Sequence, residues 1–145
     1  MTYLLDINLL VALFDASHVN HEAAHDWFSA TGRRSWATCP ITENGCIRVL
    51  SNPSYPSVQA TPNDVMNRLA QFCGQKDHVF WPDDISMTTD LDSETRTRLL
   101  GCQQLTDFYL AALAHHHGGR LATFDGSLAR SLTGTTVGET LQVLR

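Results

Sequence analysis

The sequence predicts an α/β fold built on a mainly parallel sheet. Short apolar segments with strand character alternate with longer amphipathic segments of helical character, which is typical of this class. Several strand-like segments also end in an acidic residue, as expected where a parallel sheet carries a site at the carboxyl ends of its strands. The chain has 145 residues and no internal repeat or linker. We therefore expect residues 1–145 to form a single domain.

The elements of the first half alternate in type. Residues 2–5 (TYLL) predict a buried strand ending at Asp6, and residues 8–14 (NLLVALF) predict a helix capped by Asn8. HEAAHDWFSA predicts a second helix, and SWATCP predicts a second strand closed by Pro40. A third helix, ENGCIRVLS, is expected to follow with Thr42 as its cap. It is followed by a proline-rich loop at residues 51–62.

The second half repeats this alternation. NDVMNRLAQFC predicts an amphipathic helix, HVFWP a third strand and LDSETRTRLLG a weaker helix. LTDFYLAALAHHHGG predicts the clearest helix, which Gly118 and Gly119 end. RLATFD predicts a strand that ends in Asp125, and TLQVL predicts the last strand.

Composition and charge restrict the possible functions. Apolar residues make up 43% of the chain and charged residues 17%, as in an ordinary globular protein. The net charge of -5 argues against a general polyanion binder covered in basic residues, but it is compatible with a nuclease whose acidic site holds a metal ion. We recognise no signal peptide or membrane span. The four cysteines contain no C-x-x-C pair, so we expect reduced thiols in a cytoplasmic protein.

Residues 21–25 (HEAAH) match the zinc-binding pattern H-E-x-x-H, in which Glu22 would be the general base of a metalloprotease. The match lies in the first turn of its helix, and the extended pattern needs Gly and His where this chain has Phe28 and Thr31. The histidines at 115–117 could supply a third ligand, but the C-terminal end of a helix also favours such residues. We favour exposed histidines at a helix start. A zinc metalloprotease remains a less favoured alternative.

Four carboxylates lie at the ends of predicted strands or in the first turns of helices: Asp6, Glu43, Asp107 and Asp125. Each alone could be a helix cap or turn residue. Together at one edge of a sheet they would repel one another unless a cation lay among them. Carboxylate oxygens suit Mg²⁺ or Mn²⁺, which activate water for phosphodiester cleavage. The acids therefore indicate a metal-dependent nuclease. A phosphatase of the haloacid dehalogenase type is less favoured, because its D-x-D pattern has Asn8 in second place.

Four segments in order, LLDINLLVALFD, CPITENGCIRVLSNP, QLTDFYLAALA and GRLATFDGSL, resemble the PIN-domain ribonucleases, specifically the VapC toxins of type II toxin–antitoxin systems. The resemblance extends from Tyr3 to Leu128. It implies a PIN-like fold with a central, mainly parallel sheet of four or five strands flanked by helices. It also implies catalytic and metal-binding roles for the four acids, and auxiliary roles for Asn8 and Thr123.

The resemblance also implies an activity and partners. The activity would be Mg²⁺- or Mn²⁺-dependent endoribonuclease cleavage that leaves a 5′-phosphate and a 3′-hydroxyl. The partners would be RNA, a small VapB-type antitoxin and a second copy of the toxin, in a homodimer and in toxin–antitoxin hetero-oligomers. A catalytically silent PIN-like module that only binds protein is the alternative. Local basic residues are expected to hold RNA: Arg33, Arg34, Arg48 and Arg130. Two helices are candidate antitoxin contacts, through any apolar side chain that is left outside the core. One helix carries Leu9, Leu10 and Leu13, and the other carries Ile47 and Leu50.

Overall fold

The computed structural model describes all residues from 1 to 145, and five strands form its single sheet. The strands are β1 (Tyr3–Leu5), β2 (Trp36–Thr38), β3 (His78–Phe80), β4 (Arg120–Thr123) and β5 (Leu141–Val143). Their order is β3-β2-β1-β4-β5, and all neighbours are parallel. The predicted α/β class and mainly parallel sheet of four or five strands are confirmed.

Seven helices flank the sheet. They are α1 (Ile7–Phe14), α2 (His21–Ala30), α3 (Pro40–Leu50), α4 (Pro62–Cys73), α5 (Ser93–Arg98), α6 (Leu105–His116) and α7 (Gly126–Ser131). Every predicted helix is present, whereas α7 was not predicted. None of the helices is long and apolar enough to cross a bilayer.

Alternate residues of each central strand pack on opposite faces of the sheet, as the two-residue period of a strand requires. Leu5, Trp36 and Ala122 belong to one core cluster, which α1, α2, α3 and α4 cover. Their strand neighbours belong to a second cluster, covered by α6 and α7. Residues 108–114 of α6 are all buried, so this helix forms the centre of the second layer.

Two helix starts differ from the predicted ones. Asp6, not Asn8, is the N-cap of α1, because its carboxylate accepts the N–H of Ile7 at 2.7 Å. Helix α3 begins at Pro40, whose missing N–H costs nothing in a first helical turn. The hydroxyl of Thr42 therefore lies inside that turn, where it accepts the N–H of Cys39.

The leucines named on the two candidate antitoxin helices, α1 and α3, do not lie outside the core. Leu9, Leu10, Leu13 and Leu50 are each at most 3% exposed, so they form the core and are not available to a partner. Only Ile47 is partly exposed. The apolar faces of these amphipathic helices pack against the sheet, so their leucines are buried.

The winding direction of the sheet reverses at β1. The chain first adds β2 and β3 on one side of β1 and later adds β4 and β5 on the other. The carboxyl ends of β1 and β4 are therefore neighbours whose following segments diverge. This is the place where open parallel sheets form a ligand-binding crevice.

Candidate active site

Three of the four predicted acids line one cavity at the carboxyl ends of β1 and β4. The carboxylates of Asp6, Asp107 and Asp125 face a space of about 450 Å³. The cavity is completed by residues of α1, α3 and two loops: Ile7, Asn8, Val11, His18, Val49 and Tyr55. Asp6 follows β1 directly, Asp125 follows β4, and Asp107 comes from the first turn of α6. The order of the strands and the start of α6 therefore bring together three aspartates that are up to 119 positions apart in the sequence.

Asp6 is the deepest of the three acids, with 3% of its surface exposed. One oxygen accepts the N–H of Ile7 at 2.7 Å, and the other accepts the hydroxyl of Thr123 at 2.7 Å. Burial raises the pKa of Asp6; the two hydrogen bonds oppose this rise, and the charge of Asp125 adds to it. A nearby cation would favour the ionised form of this carboxyl.

Asn8 and Thr123 hold Asp6 in place. The Thr123 oxygen accepts hydrogen bonds from the Asn8 side-chain amide at 3.2 Å and from the Asp125 N–H at 3.0 Å. The Asn8 carbonyl oxygen in turn accepts the N–H of Phe124 at 3.3 Å. Because Thr123 accepts from these two donors, its own proton is directed to Asp6. Both residues therefore help to orient Asp6, and the auxiliary roles in catalysis that the resemblance implies for them stay predictions.

Asp125 and Asp107 present carboxylate oxygens towards the cavity. Asp125 caps α7, and its Oδ1 accepts three hydrogen bonds, from the backbone of Ser127 and Leu128 and from the Ser127 hydroxyl. Its Oδ2 is left free of these donors. Burial raises the pKa of Asp107 to about 6, and the charges of Asp6 and Asp125 contribute to the rise.

The three aspartates suit a divalent cation. No Lys or Arg forms a salt bridge with any of them, since the only ion pairs in the structure join Asp84 to His116 and His117. An all-oxygen donor set is the kind that Mg²⁺ and Mn²⁺ prefer. The three do not form a group whose oxygens all lie within 4.8 Å of one another. An ion here would therefore keep several water ligands, as Mg²⁺ commonly does.

Glu43 does not line this cavity, so its part in the predicted four-acid site stays a prediction. Its carboxylate accepts the hydroxyl of Thr38 at 2.7 Å and is grouped with Cys73 and His78. The reason is helical periodicity. Glu43 is three residues before Cys46 on the side of α3 that faces α4, whereas Val49 is on the side that lines the cavity.

Two polar cavity residues, His18 and Tyr55, were not predicted from the sequence. Both come from loops, where no periodic pattern indicates an inward direction. The Tyr55 hydroxyl donates to Asp15 at 2.7 Å, which anchors the proline-rich loop beside the cavity. The His18 Nδ1 accepts the N–H of Asn20 at 3.0 Å, so a neutral ring carries its proton on Nε2.

Two of the four predicted RNA-binding arginines lie far from the aspartate cavity. Arg33 and Arg34 precede β2 and share a cavity with residues 75–77, which precede β3. They therefore lie at the amino ends of the strands, opposite the aspartates. Arg48 is exposed next to Val49 on α3, and Arg130 is exposed on α7, which Asp125 caps. Only these two remain near elements of the cavity.

The HEAAH histidines bind backbone oxygen atoms of another helix. His21 Nδ1 donates to the carbonyl of Ala12 at 2.7 Å, and His25 Nε2 contacts the carbonyl of Leu13 at 3.0 Å. These carbonyls belong to the last turn of α1, where they lack partners within the helix. The two histidines therefore cap α1 and are not simply exposed at a helix start. Neither belongs to a group of three metal-binding side chains.

Comparison with known proteins identifies the family. The PIN domain family model matches residues 3–131. Ribonuclease VapC39 of Mycobacterium tuberculosis is 43% identical over 131 residues, which cover 90% of this chain and 94% of that protein. Ribonuclease VapC44 of the same organism is 44% identical over 131 residues, which cover 89% of each chain.

A solved structure has the same fold. The crystal structure of Mycobacterium tuberculosis VapC20, described as a sarcin-ricin loop cleaving toxin, matches with a TM-score of 0.62 at 14% identity, over 93% of this chain and 97% of that one. The resemblance of the four sequence segments is therefore confirmed. With a family match across most of its length and relatives above 40% identity, the chain belongs to the PIN-domain family and, within it, to the VapC ribonucleases.

Proposed function

We propose that the protein is a metal-dependent endoribonuclease and the toxin of a type II toxin–antitoxin pair. The observation that carries the proposal is the convergence of Asp6, Asp107 and Asp125 without a basic partner, at the switch point of the sheet. Membership among proteins named as VapC ribonucleases supports RNA as the substrate. A VapB-type antitoxin and a homodimer stay predictions from the same family relationship.

The aspartates have distinct roles in this proposal. Asp107 and Asp125 offer ligand oxygens to a bound ion. Asp6, which Ile7 and Thr123 hold in place, would reach the same ion directly or through a water ligand. A bound Mg²⁺ or Mn²⁺ would activate water and stabilise the charge that develops on the phosphate. Asn8 and Thr123 keep Asp6 in the orientation that binding needs.

The rim of the cavity suits the RNA backbone. His18 offers an Nε2 proton as a hydrogen-bond donor to phosphate when its ring is neutral. Arg130, one turn into the helix capped by Asp125, offers a positive charge for the next phosphate. Such local contacts allow a chain of net charge -5 to hold RNA without a broad basic face.

The proposal is tested with purified protein and cellular RNA in Mg²⁺, Mn²⁺ or EDTA, with new 5′ ends mapped by sequencing. We expect discrete cleavage sites that need the metal and disappear in Asp6→Asn, Asp107→Asn and Asp125→Asn. Glu22→Gln is the matched control, because Glu22 is an exposed acid on α2 and would be the base of a zinc protease. Cleavage that survives EDTA and all three substitutions contradicts the mechanism.

Two further variants decide between the remaining alternatives. Glu43→Gln should retain cleavage if the three aspartates form the complete acidic set, and should lose it if Glu43 also acts on the metal. A silent PIN-like binding module would bind its partner protein but would cleave no RNA under any metal condition. The HEAAH alternative has no third ligand beside its histidines, which already bind α1.

A further inference from the structure

A second group of metal-binding side chains lies outside the aspartate cavity, at the C-terminal end of α6. His117 Nε2 is 3.0 Å from one oxygen of Asp84, and His116 Nε2 is 3.9 Å from the other. The three potential ligand atoms lie within 4.8 Å of one another. None of these residues lines the aspartate cavity. Two imidazoles and one carboxylate therefore converge on a single point of the surface.

The spacing of these atoms suits a small cation. Zinc binds imidazole nitrogen and carboxylate oxygen at about 2.1 Å, which places ligand atoms of a tetrahedral site about 3.4 Å apart. The two measured nitrogen–oxygen separations, 3.0 and 3.9 Å, lie on either side of this value. A shift of about half an ångström per side chain would complete the site, which is small for partly exposed side chains.

The His117 ring is held in place before any ion binds. Trp81 is buried and stacks on it, with ring centroids 4.5 Å apart and planes 11° apart. Trp81 is itself fixed beside Gly119, where a Cβ atom would lie 2.7 Å from its ring. Stacking leaves the ring edge, with Nε2, directed at Asp84. A ligand fixed in this way loses little side-chain entropy on binding.

The other cluster of this kind is arranged differently. Glu43, Cys73 and His78 also lie within 4.8 Å of one another. However, the hydroxyl of Thr38 is at their centre, at 2.7 Å from Glu43 and 2.8 Å from His78, so these groups already satisfy one another. The Asp84 group has no such central atom, and its three side chains are between 20% and 51% exposed.

We propose that Asp84, His116 and His117 bind a divalent transition-metal ion of the Zn²⁺ class, with water completing the coordination. Two histidines and one carboxylate are a set that suits zinc and related ions and does not suit Mg²⁺. Asp84 lies in the segment after β3, and the histidines end α6. The ion would therefore join two segments that are 32 residues apart in sequence, and it would stabilise the native state.

The test is a calorimetric titration of Zn²⁺ into the reduced full-length protein, in an excess of Mg²⁺ that occupies the aspartate cavity. We expect one equivalent of Zn²⁺ to bind and the unfolding temperature to rise. Asp84→Asn, His116→Ala and His117→Ala should each lower the affinity by at least ~10-fold, because each removes a ligand. His115→Ala is the matched control, since this exposed neighbour is not in the group.

The visible absorption spectrum of bound Co²⁺ shows which kinds of atom are its ligands. Co²⁺ bound at this site should show only weak visible bands from nitrogen and oxygen ligands. An intense sulfur-to-cobalt band that disappears in Cys73→Ser would place the ion at the Glu43 cluster and overturn the proposal. Zn²⁺ affinity that is unchanged in a His116→Ala/His117→Ala double variant of normal stability would also overturn it. RNA cleavage is not needed for either readout, so failure of the proposed nuclease activity would leave this test intact.

Discussion

Asp107 holds its carboxylate in surroundings that disfavour the negative charge. Burial and the charges of Asp6 and Asp125 raise its pKa to about 6. In the unfolded chain an aspartate titrates near pH 3.9, so the native state keeps this proton to a higher pH. The stability of the metal-free protein should therefore fall as the pH rises from about 4 to about 6, and the loss should be complete above that range.

Asp107→Asn should stabilise the metal-free protein because it removes this unfavourable charge. We expect a gain of about 1–3 kcal/mol in the free energy of unfolding near pH 7.5, reduced by partial solvent screening, and almost none near pH 4. Urea unfolding in EDTA at the two pH values measures this difference. Mg²⁺ should stabilise the wild type and not the variant. A variant less stable than the wild type at the higher pH would contradict this account of Asp107.

The same pKa predicts how cleavage depends on pH. A metal ion needs Asp107 ionised, so apparent Mg²⁺ affinity at low metal concentration should rise with pH until about pH 6 and then level off. High Mg²⁺ should shift the midpoint downwards, because the ion competes with the proton. Initial rates measured across pH at two Mg²⁺ concentrations check this. If the midpoint of the pH dependence does not change with the Mg²⁺ concentration, Asp107 is not a metal ligand.

Thr123 acts on the site through Asp6. Thr123→Val keeps the shape of the side chain but leaves a buried carboxylate oxygen without its hydroxyl donor. We expect Mg²⁺ affinity to fall ~10–100-fold. The free energy of unfolding should fall by about 1–3 kcal/mol. Thr123→Ser is the control, because it keeps the donor; metal titration and urea unfolding of both variants give the comparison. Equal behaviour of the two would show that the hydroxyl has no orienting role.

At the scale of elements, strands and helices were predictable where a clear period or cap was present. The three central strands, β1, β2 and β4, are short and apolar. Asp6 follows β1 directly, whereas Pro40 and Asp125 lie two residues after the ends of β2 and β4. Helix α7 was missed because only Leu128 of its residues is buried, so six residues give no amphipathic pattern. The Asp125 cap was the available signal, since Asp, Asn, Ser and Thr favour helix starts.

The HEAAH segment shows why a motif needs its structural context. The i, i+4 spacing places His21 and His25 on one face of α2, as a zinc site requires. That face packs against the C-terminal end of α1, so the two histidines bind two backbone carbonyl oxygens and not a metal ion. Sequence alone could not show this, because the partner atoms are backbone oxygens of a helix whose position is set by tertiary packing.

A double substitution, His21→Ala/His25→Ala, should therefore affect stability and not catalysis. Each lost hydrogen bond should lower the free energy of unfolding by about 0.5–1.5 kcal/mol. RNA cleavage and its dependence on Mg²⁺ should be unchanged at temperatures where the variant is folded. Urea unfolding and cleavage assays measure the two effects. Stoichiometric zinc in the purified wild type that is absent from this variant would mean that the motif binds metal after all.

At the scale of the whole molecule, chain order and strand polarity explain why the acids meet. The sheet order places β1 beside β4, so acids that follow these strands share one edge. The same rule places Arg33 and Arg34, which precede a strand, at the opposite edge. Glu43 could not be assigned in this way, because its direction depends on the rotation of α3 about its axis. For a residue at the end of a strand, the direction of the strand determines the edge of the sheet at which it lies. For a residue on a helix, the face of the helix that carries it must also be known.

The cavity also indicates how a partner would inhibit the protein. Three carboxylates without a basic partner attract an Arg or Lys, and Arg binds carboxylates through a planar fork. A single exposed ion pair contributes only ~0–1 kcal/mol, so an inhibitor also needs apolar contacts. Ile7, Val49 and Tyr55 are partly exposed at the cavity and can provide them, in place of the buried leucines of α1 and α3.

We therefore predict that a small antitoxin places a basic side chain among Asp6, Asp107 and Asp125 and covers this apolar rim. Val49→Asp should weaken the complex at least ~10-fold, because it puts a charge into the desolvated part of the interface. Arg33→Asp is the matched control at the opposite edge of the sheet. The test is co-expression with the product of the neighbouring gene, followed by pull-down, a growth assay and RNA cleavage. A complex that leaves cleavage at its full rate, or that Val49→Asp does not weaken, would mean that the antitoxin binds another surface.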